Sequence, residues 1–308
     1  MIDPPELTAL TSRTRRAIVA EDSWEETLEA LAPHLRCSAD NVAPVVLLPG
    51  DPGRCEKIAA YLENPVEVAS NREFKTVTGS YRGMPVSATS TGIGGASLAI
   101  AVEELVRLGA HTLVRVGSAG AVLPDLAVGD LVIAEAAMRE DGTSRIYAPE
   151  GYPAAADPAL VLALRAAAAE RETGRSGAVK PDSTARETNP AGAGYQRRWQ
   201  GRAVAGLVRS HDSFYTGAEE ELMRRAGSLG VLASDMETAA LLVVARLRNV
   251  VAGSVLTIVV PAEGALEEGI GDFAEGAEAA AAGEYAAIAV ALEGAHTQWR
   301  ERRRKRNG

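Results

Sequence analysis

Three short stretches combine glycine with arginine or a hydroxyl in a pattern that could hold an anion. Gly50-Asp51-Pro52-Gly53 runs into Arg54, Gly92-Ile93-Gly94-Gly95 follows Ser90-Thr91, and Arg115 stands just before Gly117-Ser118-Ala119-Gly120. Glycine lets backbone N–H groups approach an oxyanion closely. Arginine adds a planar, permanently charged fork that matches phosphate or carboxylate oxygens. Neither a dinucleotide fingerprint nor a P-loop is present, since G-x-G-x-x-G and G-K-[ST] are both absent. Arg115 is the most informative of these residues, because Leu113-Val114-Arg115-Val116 otherwise reads as an apolar strand. A guanidinium buried there alone costs several kcal/mol, so it must meet either an internal carboxylate or a ligand. Spacing leaves both readings open.

To present these groups, the chain needs strands that end at the glycine-rich turns. The apolar run Val45-Val46-Leu47-Leu48 stops at Pro49-Gly50 and reads as a strand buried on both faces. Helix-like sequence follows over 56–62. Residues 75–81 and 84–89, joined by Arg82-Gly83, read as a hairpin. After the second glycine cluster, Leu98, Val102 and Leu105 share one helical face. Strands are expected at 112–116, 130–135, 203–208 and 255–260, and helices at 158–170, 238–248 and 277–304. The first 40 residues read as a mostly helical arm, with Trp24, Leu28 and Leu31 at helical spacing. Residues 171–202 mix Gly, Pro, Ser, Thr and charge, which predicts a long loop or insertion. Strands alternating with helices predict one α/β domain over 1–308, a three-layer α/β/α sandwich around a mixed central sheet.

Composition narrows the function classes. The 308 residues are 46% apolar but only 4% aromatic, so Ala, Val and Leu must fill the core. No run approaches the ~18 apolar residues of a membrane-spanning helix. Met1-Ile2-Asp3-Pro4-Pro5-Glu6 lacks the basic flank and apolar stretch of a signal peptide, so a cytoplasmic location is expected. Cys37 and Cys55 are too few for a disulfide framework, and no Cys/His spacing suggests zinc. The net charge of −9 argues against nucleic acid as a partner. The basic tail over 300–308 reads as a solvated, frayed terminus. An acidic body with a basic pocket still suits an anionic small substrate, because the local field matters more than net charge.

The order of motifs resembles the hexameric nucleoside phosphorylases, with uridine phosphorylase the nearest branch. The resemblance rests on Leu48-Pro49-Gly50-Asp51-Pro52-Gly53-Arg54, Asn71-Arg72-Glu73-Phe74, Ser90-Thr91-Gly92-Ile93-Gly94-Gly95, Arg115-Val116-Gly117-Ser118-Ala119-Gly120 and Asp235-Met236-Glu237-Thr238. It runs from about residue 33 to 260. It implies a nucleoside-phosphorylase-like fold and phosphate held by the Gly50 N–H, Arg54, Arg115 and Ser118, with Arg72 reaching in from a neighbouring subunit. It also implies that Glu237 accepts hydrogen bonds from the ribose hydroxyls and Met236 packs under the sugar. His34 would touch the 5′-hydroxyl across the subunit boundary, and Phe214 would stack on the base. Glu73, Ile93 and Ser97 match a monovalent-cation site at the dimer interface. The family requires no catalytic metal or other cofactor, and phosphate is a co-substrate. Implied partners are a nucleoside, phosphate and further copies of the chain, a dimer at minimum and a hexamer as a trimer of dimers. Arg54, Arg115 and Glu237 would carry a phosphate-dependent cleavage of the N-glycosidic bond, giving free base and α-ribose 1-phosphate.

The base side departs from the pattern. Ala218 and Glu220 stand where uridine phosphorylases carry the Gln and Arg that read uracil. In the purine branch an Asp protonates the leaving base, and the aligned position here is Glu263. The alternatives are therefore a purine nucleoside phosphorylase using Glu263, a nucleosidase that uses water, or a non-catalytic nucleoside-binding relative. Arg54, Arg72 and Arg115 argue against the nucleosidase, since a hydrolase has no use for three phosphate-clamping arginines.

Overall fold

In the computed structural model, β1 (Val45–Pro49) is buried along its whole length, as its unbroken apolar sequence demands. The structure describes residues 31–173, 199–262 and 278–307. Most of the arm predicted for 1–40, the middle of the 171–202 segment, and Glu263 lie outside the described residues. β1 pairs in parallel with β4 (Met84–Thr89) on one side and β5 (Thr112–Ala121) on the other. β3 (Phe74–Tyr81) joins β4 through the expected Arg82-Gly83 turn, where both residues take positive φ. Beyond it, β2 (Glu63–Asn71) forms an exposed edge strand that the sequence reading misses. Its ENPVEVASN sequence is polar and interrupted by proline, so it carries no burial pattern to detect.

On the other side of β5 the sheet curls. β10 (Val251–Val260) pairs in parallel with β5 and antiparallel with β6 (Leu131–Glu140). β6 pairs with β8 (Ala203–His211), β8 with β9 (Ala233–Asp235), and β9 returns to β5. These five strands close a ring, while β1, β4, β3 and β2 extend from it as a wing. A two-residue strand, β7 (Ala154–Ala155), pairs with β6.

Helices cover both faces. Gly253 of β10 sits against Leu160 of α4 (Pro158–Glu172), where a Cβ would come within 2.8 Å of its Cδ2. The next residue, Ser254, meets Thr238 of α6 (Thr238–Leu247), 3.1 Å between hydroxyl oxygens. Adjacent strand residues point to opposite faces, so α4 and α6 lie on opposite sides of the sheet. α7 (Glu278–Asn307) packs with α4 and with β10, β5 and β1. α2 (Gly95–Arg107) and the short α3 (Gly142–Tyr147) pack with α6. α1 (Pro52–Ala59), capped by Asp51 Oδ1 accepting from the Gly53 N–H at 2.9 Å, lies against β3 and β4. α5 (Glu219–Ser228) follows β8.

Three expectations change. Gly117-Ser118-Ala119-Gly120 is not a turn; β5 runs straight through it to Ala121, so Ser118 is a strand residue. The ends of the 171–202 segment belong to ordered structure: Arg171 and Glu172 complete α4, and buried Trp199 donates from Nε1 to the Gly129 carbonyl at 2.8 Å. The basic tail is helical to Asn307 rather than frayed, with the Arg303 guanidinium 4.9 Å from the centre of the Trp299 ring. Among the described residues, no helix is long and apolar enough to cross a membrane.

Candidate active site

The parallel pairing of β1 with β5 sets the geometry. It places Leu48 opposite Arg115 and Pro49 opposite Val116, so the turn at Gly50 emerges beside Gly117 and Ser118. The second glycine turn docks on the first: Thr91 and Gly92 donate their N–H groups to the Pro49 and Gly50 carbonyls at 2.9 and 3.0 Å. Gly92 has φ +68°, and a Cβ there would lie 2.8 Å from Glu73 Cγ, so glycine is needed for both conformation and space.

Two buried arginines converge on this corner. Arg54, in the first turn of α1, donates from Nη1 to the Val116 carbonyl at 2.9 Å and from Nη2 to Ser118 Oγ at 3.0 Å. Its Nε is held by Glu284 of α7 at 2.5 Å, and Glu284 also takes Lys57 Nζ at 2.6 Å. Arg115 donates from Nε to Asp235 at 3.0 Å and from Nη2 to Glu237 at 2.5 Å. Its Nη1 is shut from solvent and has no acceptor among the described residues. Of the two readings of Arg115, the internal carboxylate is the one seen, and one donor of the guanidinium is left over. The other oxygen of Glu237 accepts the Gly94 N–H at 2.5 Å, which ties the second glycine turn to the same cluster.

The electrostatics follow from this crowding. Burial works against charge on Arg115, but Glu237 and Asp235 outweigh it and raise its pKa. One guanidinium cannot satisfy two carboxylates fully. Burial, with Asp235 close by, pushes the Glu237 carboxyl above the ordinary carboxylate range despite Arg115. At Glu284 the balance tips the other way: burial opposes ionisation, yet Arg54 and Lys57 together lower its pKa. Formal charges in the corner cancel, with Arg54, Lys57 and Arg115 against Glu284, Asp235 and Glu237. An anion here would be held by oriented donors rather than by excess positive charge.

The remaining candidates surround this centre unevenly. Met236 is half-buried beside Glu237, and half-buried Phe214 lies edge-on to Tyr215 with 5.2 Å between ring centroids. Ala218 and Glu220 are exposed. His34 is tied to buried Glu104, with 2.6 Å from Nδ1 to Oε1, and its carbonyl accepts from Asn71 Nδ2 at 2.7 Å. That bond places His34 beside the β2–β3 corner, where Arg72 stands exposed at φ +55°. The two residues expected to serve a neighbouring subunit thus share one surface. Glu73 Oε1 accepts from Ser97 Oγ at 2.9 Å, while the Ile93 side chain is exposed. Among the described residues, no three His, Cys, Asp or Glu side chains gather as a metal site would require. Sequence reading missed Glu284, Lys57 and Asp235 as braces for the arginines. Only the Asp235-Met236-Glu237 spacing offered a signal, since Glu284 lies 230 residues from Arg54.

Comparison with known proteins shows the family. Residues 44–292 match the phosphorylase superfamily, and the chain belongs to that family. Its relatives within the family include uridine phosphorylases. It is 38% identical over 236 residues to the uridine phosphorylase of Treponema pallidum, covering 73% of this chain and 81% of that protein. It is 51% identical over 143 residues to that of Thermococcus kodakarensis, a match spanning 46% of this chain and about half, 52%, of the relative. The crystal structure of the Vibrio fischeri uridine phosphorylase superposes with a TM-score of 0.71 at 34% identity, covering 87% of this chain and 98% of that one.

Proposed function

We propose that this uridine phosphorylase-like pentosyltransferase cleaves a nucleoside with inorganic phosphate at the corner where Arg54, Arg115, Ser118 and Gly50 meet. The observation that carries the reading is the spare Nη1 donor of Arg115 on β5, the same strand whose Ser118 receives the Arg54 guanidinium. A phosphate placed there takes donors from both guanidinium groups, the Ser118 hydroxyl and the Gly50 N–H. Glu237, between Arg115 and the Gly94 N–H, accepts the sugar hydroxyls, and Met236 supports the ring. As the glycosidic bond loosens, positive charge develops at C1′ and the ring oxygen. The phosphate stabilises that charge, then attacks the opposite face of C1′, giving free base and α-ribose 1-phosphate with inversion. Catalysis is positioning and preorganised charge.

Because the corner's own charges cancel, a dianion gains from one more cation. Exposed Arg72 and half-buried His34 supply that cation and a sugar contact to a partner's site in a dimer, the repeating unit of a hexamer. Glu73 and Ser97 offer hard oxygen ligands that fit a monovalent cation, which would brace the interface. Base release measured with and without phosphate tests the reaction. Strict phosphate dependence with ribose 1-phosphate formed is expected, and equal rates overturn it.

A further inference from the structure

The base side of the site holds a charge cluster that the family resemblance leaves unassigned. Arg209 of β8 is 1% exposed, one of the largest fully buried side chains in the protein. Its Nε donates to Glu140 at 2.5 Å, and its Nη1 donates to Ser234 Oγ at 3.1 Å and Glu219 Oε1 at 3.3 Å. Its Nη2 makes no hydrogen bond among the described residues. One guanidinium therefore faces two carboxylates. The second oxygen of Glu219 is shut from solvent with no donor among the described residues. A buried carboxylate oxygen left without a donor is destabilising, and a ligand N–H in that place removes the penalty.

The cluster's location says what ligand that is. Ser234 directly precedes Asp235-Met236-Glu237, and Glu219 lies between Ala218 and Glu220, five residues after Phe214. Arg209 and Glu219 thus bridge the sugar-binding segment and the aromatic segment, in the region where Ala218 and Glu220 face solvent and cannot read a base. Resting on the nucleoside-site reading above, we propose that Arg209 and Glu219 are the specificity residues for the base. Glu219 Oε2 accepts a ring N–H, and Arg209 donates to the adjacent carbonyl. This pairing selects bases with a lactam edge, N–H beside C=O, as in uracil, hypoxanthine and guanine. Cytosine and adenine present an acceptor nitrogen beside an amino group, which sets acceptor against acceptor and donor against donor.

Calorimetric binding of uridine, inosine, cytidine and adenosine to the full chain and to Glu219→Gln tests this without requiring turnover. The wild type is expected to bind uridine or inosine about 10- to 100-fold more tightly than cytidine or adenosine. Glu219→Gln, whose amide can also donate, should reduce that ratio at least about tenfold while leaving Tm near the wild-type value. Arg209→Met, checked for folding by circular dichroism, should lose the same selectivity. The idea is overturned by equal binding of the four nucleosides, by no binding, or by a ratio unchanged in Glu219→Gln. A uniform loss of affinity together with Tm would show a purely structural role and also overturn it. Phosphate dependence of turnover, measured in parallel on the wild type, decides the phosphorylase reading separately, because selectivity in binding survives its failure.

Discussion

The proposed phosphate and base halves of the site use arginine differently. On the phosphate side, Arg54 and Arg115 are braced from behind by Glu284, Asp235 and Glu237, and they present donors around a strand, β5, that is fixed by pairing on both edges. On the base side, Arg209 turns toward Glu219 at the start of α5, after a loop whose residues are mostly exposed. The first arrangement holds each guanidinium from several sides, which aiming a nucleophile demands. The second splits recognition between Arg209 on β8, a strand also paired on both edges, and Glu219 at a helix start behind an exposed loop, where sequence can change without disturbing the sheet. The phosphate motifs follow the family pattern accordingly, while the uracil-reading pair is replaced.

Disabling the braced half should have the largest effect. Arg115→Met is expected to lower kcat/KM about 100- to 1000-fold, a loss of ~2.7–4 kcal/mol in the transition state, measured by steady-state phosphorolysis. Its thermal stability should also fall, because Asp235 and Glu237 are left buried without their cation. If activity survives within about threefold, the phosphate corner has been misplaced.

A shared site gives the next effect. Arg72→Ala and Arg54→Ala, each weak alone, should recover activity when mixed and reassembled, since one interface then carries two intact clamps. No recovery in mixed dimers verified by mass spectrometry would remove Arg72 from the partner's site.

Loosening a brace should cost less than losing a clamp. Glu284→Gln is expected to raise the phosphate KM about tenfold, on the order of 1.4 kcal/mol, with the nucleoside KM unchanged. Its pH dependence has a definite sign. The folded pKa of Glu284 is lowered, so the unfolded chain binds more protons in acid, and the carboxylate's stabilisation is lost as pH falls. The stability gap between wild type and Glu284→Gln should be widest at neutral pH and close below about pH 4. A gap that persists undiminished into acid would contradict the ion-pair role. The smallest effect is expected at the far end of α7: deleting residues 304–308 should change kcat/KM and stability by less than about 0.5 kcal/mol.

Much of this molecule was legible because its signals are local. The apolar run of β1, the Arg82-Gly83 hairpin and the spacing of Leu98, Val102 and Leu105 all became the expected elements. β2, β9 and α5 escaped because their sequences are polar, short or exposed, and tertiary pairing rather than pattern holds them in place. Gly117-Ser118-Ala119-Gly120 misled for a related reason. Four small residues look like a turn, but β10 and β9 pair along them and keep them extended.

By itself the sequence determined which residues carry charge and in what order along the chain, because motif spacing and hydrophobic period are properties of neighbours in sequence. Only the folded chain decided which carboxylate answers each guanidinium. Glu284 reaches Arg54, and Glu140 and Glu219 reach Arg209, through contacts made after the sheet has curled and the helices have docked. An ion pair's strength depends on distance and burial, and neither exists until remote segments pack together.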